Sequence, residues 1–211
     1  MRVAIIDCGA GNLHSVRKAF ATQLAATDTL EIVTDAAQLK TATHIVLPGV
    51  GAFADCMAGL SALPGMRDAL EEQVLAQKKP FLGICVGMQM LFERGHEHGV
   101  HTGLDWFKGE VAPLAPNDPS LRIPHMGWNS LRITNQKSKI TNRIAEGTHM
   151  YFVHSYAAHG VDADIVLAQV DYGGPVVALI GRGNVVASQF HPEKSQRAGL
   201  ALIHNFLEME P

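Results

Sequence analysis

Residues 80–94 read Pro-Phe-Leu-Gly-Ile-Cys-Val-Gly-Met-Gln-Met-Leu-Phe-Glu-Arg, and no other stretch limits the fold so tightly. Phe81, Leu82 and Ile84 make a short apolar run suited to a buried strand, and after Cys85 the apolar positions Val86, Met90 and Leu91 fall at helical spacing. Gly83 and Gly87 bracket Cys85 in a G-x-C-x-G pattern. A strand that turns sharply into a helix at a residue between glycines has the geometry of a nucleophile elbow, where a flanking β-carbon would clash. The free N–H groups and dipole of such a helix favour a thiolate. The other reading is a buried structural cysteine beside a strand, and the spacing alone leaves both open.

The flanking sequence predicts a sheet to carry that turn. Residues 3–6 read as a buried strand, followed by the glycine loop 7–12 and a helix with Leu13, Val16, Phe20 and Leu24 on one face and Asn12 as N-cap. Gly9 and Gly11 lack the third glycine of a dinucleotide fingerprint, since position 14 is His14. Strands follow at 30–34 and 44–47, then helical patterns at 55–62 and 65–78 with Pro64 at a helix start. This alternation predicts a three-layer αβα architecture, flavodoxin-like, with a mostly parallel sheet. The second half changes character. Strands are predicted at 106–114, 127–133, 150–156, 165–171, 176–180 and 185–189, the last two joined by a hairpin at 181–184. Ser195 is placed to cap a closing helix bearing Leu200, Ile203 and Leu207. The expectation is one domain over 1–211, its parallel sheet extended by antiparallel strands.

Composition excludes several classes. The formal net charge of -3 comes with no basic run, so neither nucleic acid nor a membrane surface is indicated. Three cysteines, an odd number without framework spacing, argue against a disulfide scaffold and fit a reducing cytosol. No apolar run has signal-peptide or membrane-spanning character, and a soluble cytoplasmic protein is expected.

A cysteine nucleophile needs a base, and the base needs a group to orient it. Gln189-Phe190-His191-Pro192-Glu193 follows the last predicted strand. Pro192 biases His191 to an extended conformation, and Glu193 can lie near the same face. Strand ends converge at one edge of a parallel sheet, so Cys85 and His191 can meet. A His-x-Glu taken alone is as readily a surface loop. For a developing oxyanion, the Val86 N–H is one donor, and the Val50 or Gly51 N–H in Pro48-Gly49-Val50-Gly51 is a second. That tetrapeptide also reads as an ordinary turn.

Together these pieces resemble the class I, triad-type glutamine amidotransferases. Gly11-Asn12-Leu13, Pro48-Gly49-Val50-Gly51-Ala52-Phe53, Pro124-His125-Met126-Gly127-Trp128-Asn129, Tyr151-Phe152-Val153-His154-Ser155-Tyr156 and His191-Pro192-Glu193-Lys194-Ser195 narrow the likeness to the glutaminase subunits of imidazole glycerol phosphate synthases. The resemblance implies that Cys85 attacks the carboxamide of glutamine, with His191 as base and Glu193 as its orienting group. It implies that Val50 and Val86 hold the oxyanion and that Gly51, Gln89, Ser155 and Tyr156 line the glutamine site. It also implies a (β/α)8-barrel cyclase partner that receives the ammonia, with Asn12, Met126, Trp128, Tyr151 and Lys194 towards it. No cofactor is implied. A turning Val50 peptide would leave the isolated chain weakly active until the partner binds. The competing readings are a glutaminase serving a pyridoxal phosphate, anthranilate or purine synthase, and a flavodoxin-like binding module without catalysis.

Other conspicuous residues have plainer readings. Cys8 and Cys56 are expected to be buried apolar groups. His96, His98 and His101 lack the helical i, i+4 pairing of a metal site, and no metal is expected. His125 and His154 are expected to be structural, Asp7 and Asp55 to be cap or turn residues, Trp106 to be core or interface, and Trp128 to favour an interface.

Overall fold

The computed structural model describes residues 1–9, 11–135 and 138–210, so Ala10 of the glycine loop lies outside the described residues. The first half runs β1 (Arg2–Ile6), α1 (Leu13–Ala21), β2 (Thr29–Val33), β3 (His44–Gly49), α2 (Phe53–Ala62), α3 (Met66–Leu70), β4 (Phe81–Cys85) and α4 (Val86–Gln89). It continues through β5 (Phe92–Gly95), β6 (His101–Thr102), β7 (Phe107–Pro113), β8 (His125–Ser130), β9 (Arg132–Ile133), β10 (His149–His154) and β11 (Tyr156–His159). The chain ends with β12 (Val166–Asp171), β13 (Pro175–Arg182), β14 (Val185–Ser188) and α5 (Gln196–Leu207).

Eight strands form the main sheet in the order β2-β1-β3-β4-β14-β13-β12-β9. Neighbours from β2 to β14 run parallel, whereas β13, β12 and β9 continue the sheet antiparallel. Every residue of β3 and β4 is buried, as a strand covered on both faces requires. α1 packs on α5, and α2 on α3 and α4, so helices cover the sheet in the expected three-layer α/β arrangement. Two small sheets flank this body, one of β10 and β8, the other in the order β11-β7-β5-β6.

Several expectations need correction. The helix after Cys85 is one turn long, because the chain enters β5 at Phe92 and pairs with β7. Its apolar residues Met90 and Leu91 are buried all the same. The predicted strand 150–156 is two strands: β10 pairs with β8, β11 pairs with β7, and Ser155 is the residue between them. The predicted strand 127–133 divides in the same way, with β8 in a small sheet and β9 on the main one. Hydrophobic alternation reports exposure and is blind to a strand changing sheets. α1 stops at Ala21, before Leu24, and α3 starts after Gly65, which takes φ 69, rather than at Pro64. The segment 71–76 continues α3 as a π-helical turn. Leu200 is only partly buried, and the core face of α5 is Leu202, Ile203, Phe206 and Leu207.

Candidate active site

Cys85 ends β4 with φ 55 and ψ -111, a backbone state that few residues other than glycine adopt. The glycines around it make the turn possible. A β-carbon at Gly87 would lie 1.9 Å from Leu47 O, one at Gly83 would lie 2.7 Å from Gly87 O, and one at Gly49 would lie 2.9 Å from Gly87 N. β3, β4 and the first turn of α4 are therefore in main-chain contact, and the elbow is held by packing that admits no side chain.

β14 lies parallel beside β4, with Ser188 opposite Ile84. The residues after the two strands thus emerge side by side, and this brings His191 to Cys85. His191 Nδ1 is 2.7 Å from Glu193 Oε1, and both side chains are buried at 2% and 1% exposure. A 3-10 turn at Pro192–Lys194 folds Glu193 back onto the imidazole. Ser195 holds the N-cap position of α5, yet its hydroxyl makes no cap. It donates instead to His191 O at 2.6 Å and accepts from Tyr151 N at 2.9 Å, fixing the main chain of the base.

With Glu193 on Nδ1, Nε2 is the nitrogen available to Cys85. Nε2 is buried and bonded to no nitrogen or oxygen among the described residues, so the Cys85 sulfur is the partner left to it. Burial pushes the imidazole towards neutrality, but Cys85 and Glu193 outweigh it and hold His191 up at about 9.

A cavity of about 460 Å³ opens over the sulfur, large enough for an amino acid. Val50, Gly51, Val86, Gln89, Ser155 and Tyr156 join Cys85 and His191 in its wall, so the expected oxyanion and glutamine residues are brought together. Asn12 and Lys194, expected towards a partner, line it too. Trp128 and Tyr151 sit opposite each other on β8 and β10 with rings 5.9 Å apart, and Lys194 Nζ lies 5.8 Å from the Tyr151 ring. Trp128 and Met126 are exposed at 47% and 62%. These residues run as one surface from solvent to the cavity.

Three residues in or beside the site carry no expected role there. Glu97 lines the cavity, and its Oε2 accepts the Phe53 N–H at 2.8 Å, capping α2 where Ala52 has no cap to offer. Gln189, fully buried, donates from Nε2 to Cys85 Sγ at 3.7 Å. Cys56 is buried as expected, but its thiol also donates to Val50 O at 3.4 Å, on the very residue expected to hold the oxyanion. Burial first, then the nearby Cys8 and Cys85, push the Cys56 thiol up to about 12. No period or motif marks these roles, since each depends on contacts across the chain.

His125 and His154, each expected to be structural, are buried and bonded to one another, a pairing the sequence did not suggest, and their bonds have a fixed sense. His154 Nδ1 must donate to Tyr156 O at 2.8 Å, so neutral His154 accepts at Nε2 from His125 Nδ1 at 3.0 Å. His125 Nε2 then accepts from Asn129 Nδ2 at 3.2 Å. Burial lowers both rings to about 4, and each is neutral at pH 7. Asp7 accepts the Gly9 N–H at 2.9 Å in a turn, and Asp55 lies in the first turn of α2. Trp106 is buried on Phe81. His96 bonds Glu110 at 2.8 Å, and among the described residues no group of three metal-binding side chains forms. A second cavity of about 530 Å³ beside Lys139 and Arg182 contains no cysteine.

A thiol at a strand-to-helix turn, beside an imidazole that a buried carboxylate orients, is the arrangement of a triad cysteine hydrolase on an open α/β sheet. The family model for glutamine amidotransferase class-I matches residues 4–209. Imidazole glycerol phosphate synthase subunit HisH of Mesorhizobium japonicum is 50% identical over the full length of both chains, and that of Rhodospirillum rubrum 52%. The chain belongs to the glutamine amidotransferase class-I family, on the branch of the HisH subunits. A solved glutamine amidotransferase superposes with TM-score 0.71 at 19% identity, covering 98% of this chain and 97% of its own, which supports the fold.

Proposed function

We propose that this chain is the glutaminase subunit of an imidazole glycerol phosphate synthase, hydrolysing glutamine to glutamate and ammonia for histidine biosynthesis. The observation that carries the reading is the buried His191–Glu193 pair set against Cys85 in the wall of an amino-acid-sized cavity. Cys85 attacks the carboxamide carbon. His191 takes the thiol proton and, holding it well above neutrality, delivers it to the departing ammonia. Glu193 keeps the tautomer. The Val50 and Val86 amides face the oxyanion, and water then breaks the thioester with His191 as base. Gly51, Gln89, Ser155 and Tyr156 hold the glutamine, and Glu97 supplies a carboxylate for its ammonium group.

Ammonia passes to a (β/α)8-barrel cyclase bound as a heterodimer over Asn12, Met126, Trp128, Tyr151 and Lys194. There it combines with a phosphoribulosyl aminoimidazole carboxamide intermediate, which is split into imidazole glycerol phosphate and an aminoimidazole carboxamide ribotide. The exposed Met126 and Trp128 beside the cavity mouth support that surface. We place this work in the cytoplasm, in one domain. Three cysteines without a disulfide support that compartment, and no helix among the described residues is long and apolar enough to cross a membrane. Cys85→Ala in the complex tests the assignment. Glutamine-dependent synthesis is lost and synthesis from added ammonium persists, whereas surviving glutamine turnover would overturn it.

A further inference from the structure

Gln189 is fully buried and bonded at both ends of its amide. Nε2 donates to Cys85 Sγ at 3.7 Å, and Oε1 accepts from Gln89 Nε2 at 3.0 Å. The sense of these bonds follows from one main-chain carbonyl. Tyr156 O can only accept, and it takes Gln89 Nε2 at 3.0 Å. The Gln89 NH2 group therefore lies between two acceptors. Gln189 must turn its oxygen to Gln89 and its N–H to the sulfur. Gln89 is left with Oε1 alone to meet a ligand.

We propose that Gln189 is a further catalytic residue of this site, an N–H donor that holds the Cys85 sulfur and stabilises its negative charge. The inference rests on the glutaminase reading. In acylation, the sulfur–carbon bond forms as the carbon–nitrogen bond breaks, and the proton on His191 goes to nitrogen. In deacylation, water oxygen bonds to the carbon, His191 takes the water proton, and the electron pair of the breaking carbon–sulfur bond returns to Sγ. The sulfur carries negative charge as it attacks and as it leaves, and Cys85 is only 4% exposed, so protein groups meet most of that charge. A donor to the anionic form favours it. An amide does not give up its proton, so Gln189 supports the charge without competing with His191 for proton transfer.

Alkylation of Cys85 by iodoacetamide, followed by site-resolved mass spectrometry across pH, reads this directly in the full chain. Gln189→Met keeps length and burial but has no N–H. Gln189→Glu keeps shape and the acceptor for Gln89 but turns an oxygen to the sulfur. His191, Glu193, Glu97, Lys194, His154, Tyr156 and Cys56 surround or act on the site and are common to all three proteins. The rate–pH profile moves up by about one pH unit in the Met variant and further in the Glu variant, as loss of a bond to a charged group predicts. Glutamine kcat falls about tenfold while KM stays within about twofold. Profiles that superimpose on the wild type overturn the proposal even where both variants melt early, because a packing role alone leaves the profile in place. If the Met variant does not fold, the Glu variant decides. Displaced profiles in a chain that never turns over glutamine would keep the donor and remove the glutaminase reading instead.

Discussion

At the scale of single residues, Glu193 sets the geometry of the proposed base. It is buried against His191 and orients the imidazole, whose charge Cys85 and Glu193 together support. Glu193→Gln keeps the shape but removes the charge and frees the tautomer. Glutamine turnover should fall by on the order of 10²-fold or more, with KM little changed, in steady-state assays of the complex. The contacts of His191 with Cys85 and Glu193 also link stability to pH. His191 is raised to about 9 in the folded chain against 6.5 for the free side chain, so its contribution is complete below about 6.5 and lost as pH rises through about 9. Denaturant titrations between these limits should show stability declining with pH, and the Glu193→Gln protein should show a shallower decline.

At the scale of elements, the elbow and the histidine pair make separate predictions. Gly87→Ala would drive a β-carbon into Leu47 O, and main chain cannot step aside as a flexible side chain does. Unfolding measurements should give a loss of about 3 kcal/mol or more. For His125 and His154 the sign is opposite to that of His191. Both sit at about 4 in the fold against 6.5 outside it, so their contribution is complete above about 6.5 and disappears as pH falls through about 4. His125→Asn should flatten the acid limb of a melting-temperature profile, although lowering of His44 by burial will leave some slope. Much of this was legible in the sequence. Period and glycine placement located β1, β3, β4 and the elbow, because a strand buried on both faces and a turn without side chains have direct signatures. The division of 150–156 at Ser155 had none: the same apolar alternation serves two sheets, and only pairing reveals the break. Nor does sequence period report the Ser195 hydroxyl, which leaves its helix cap to fasten His191 to Tyr151.

For the whole molecule, the exposed Met126 and Trp128 with Tyr151 form the docking surface proposed above, and it makes its own prediction. Trp128→Ala should weaken binding to the barrel cyclase by about 2 kcal/mol, as loss of an interface aromatic does, measured by calorimetry against the wild-type chain. The isolated chain should turn over glutamine slowly and be activated on adding the cyclase and its ligand. Equal rates in both conditions would mean that the Val50 segment is already set for catalysis. Cys85 and His191 lie far apart in the chain and meet at one sheet edge, as the parallel pattern predicts. The Gln189 and Glu97 contacts are products of that same convergence and had no local trace.

The seam between β4 and β14 reaches further than catalysis. The thiol ends one strand and its proposed base follows another, 106 residues further along the chain. Until β14 docks on β4 the cysteine has no imidazole beside it, so closing of the sheet's second half is what arms the proposed nucleophile.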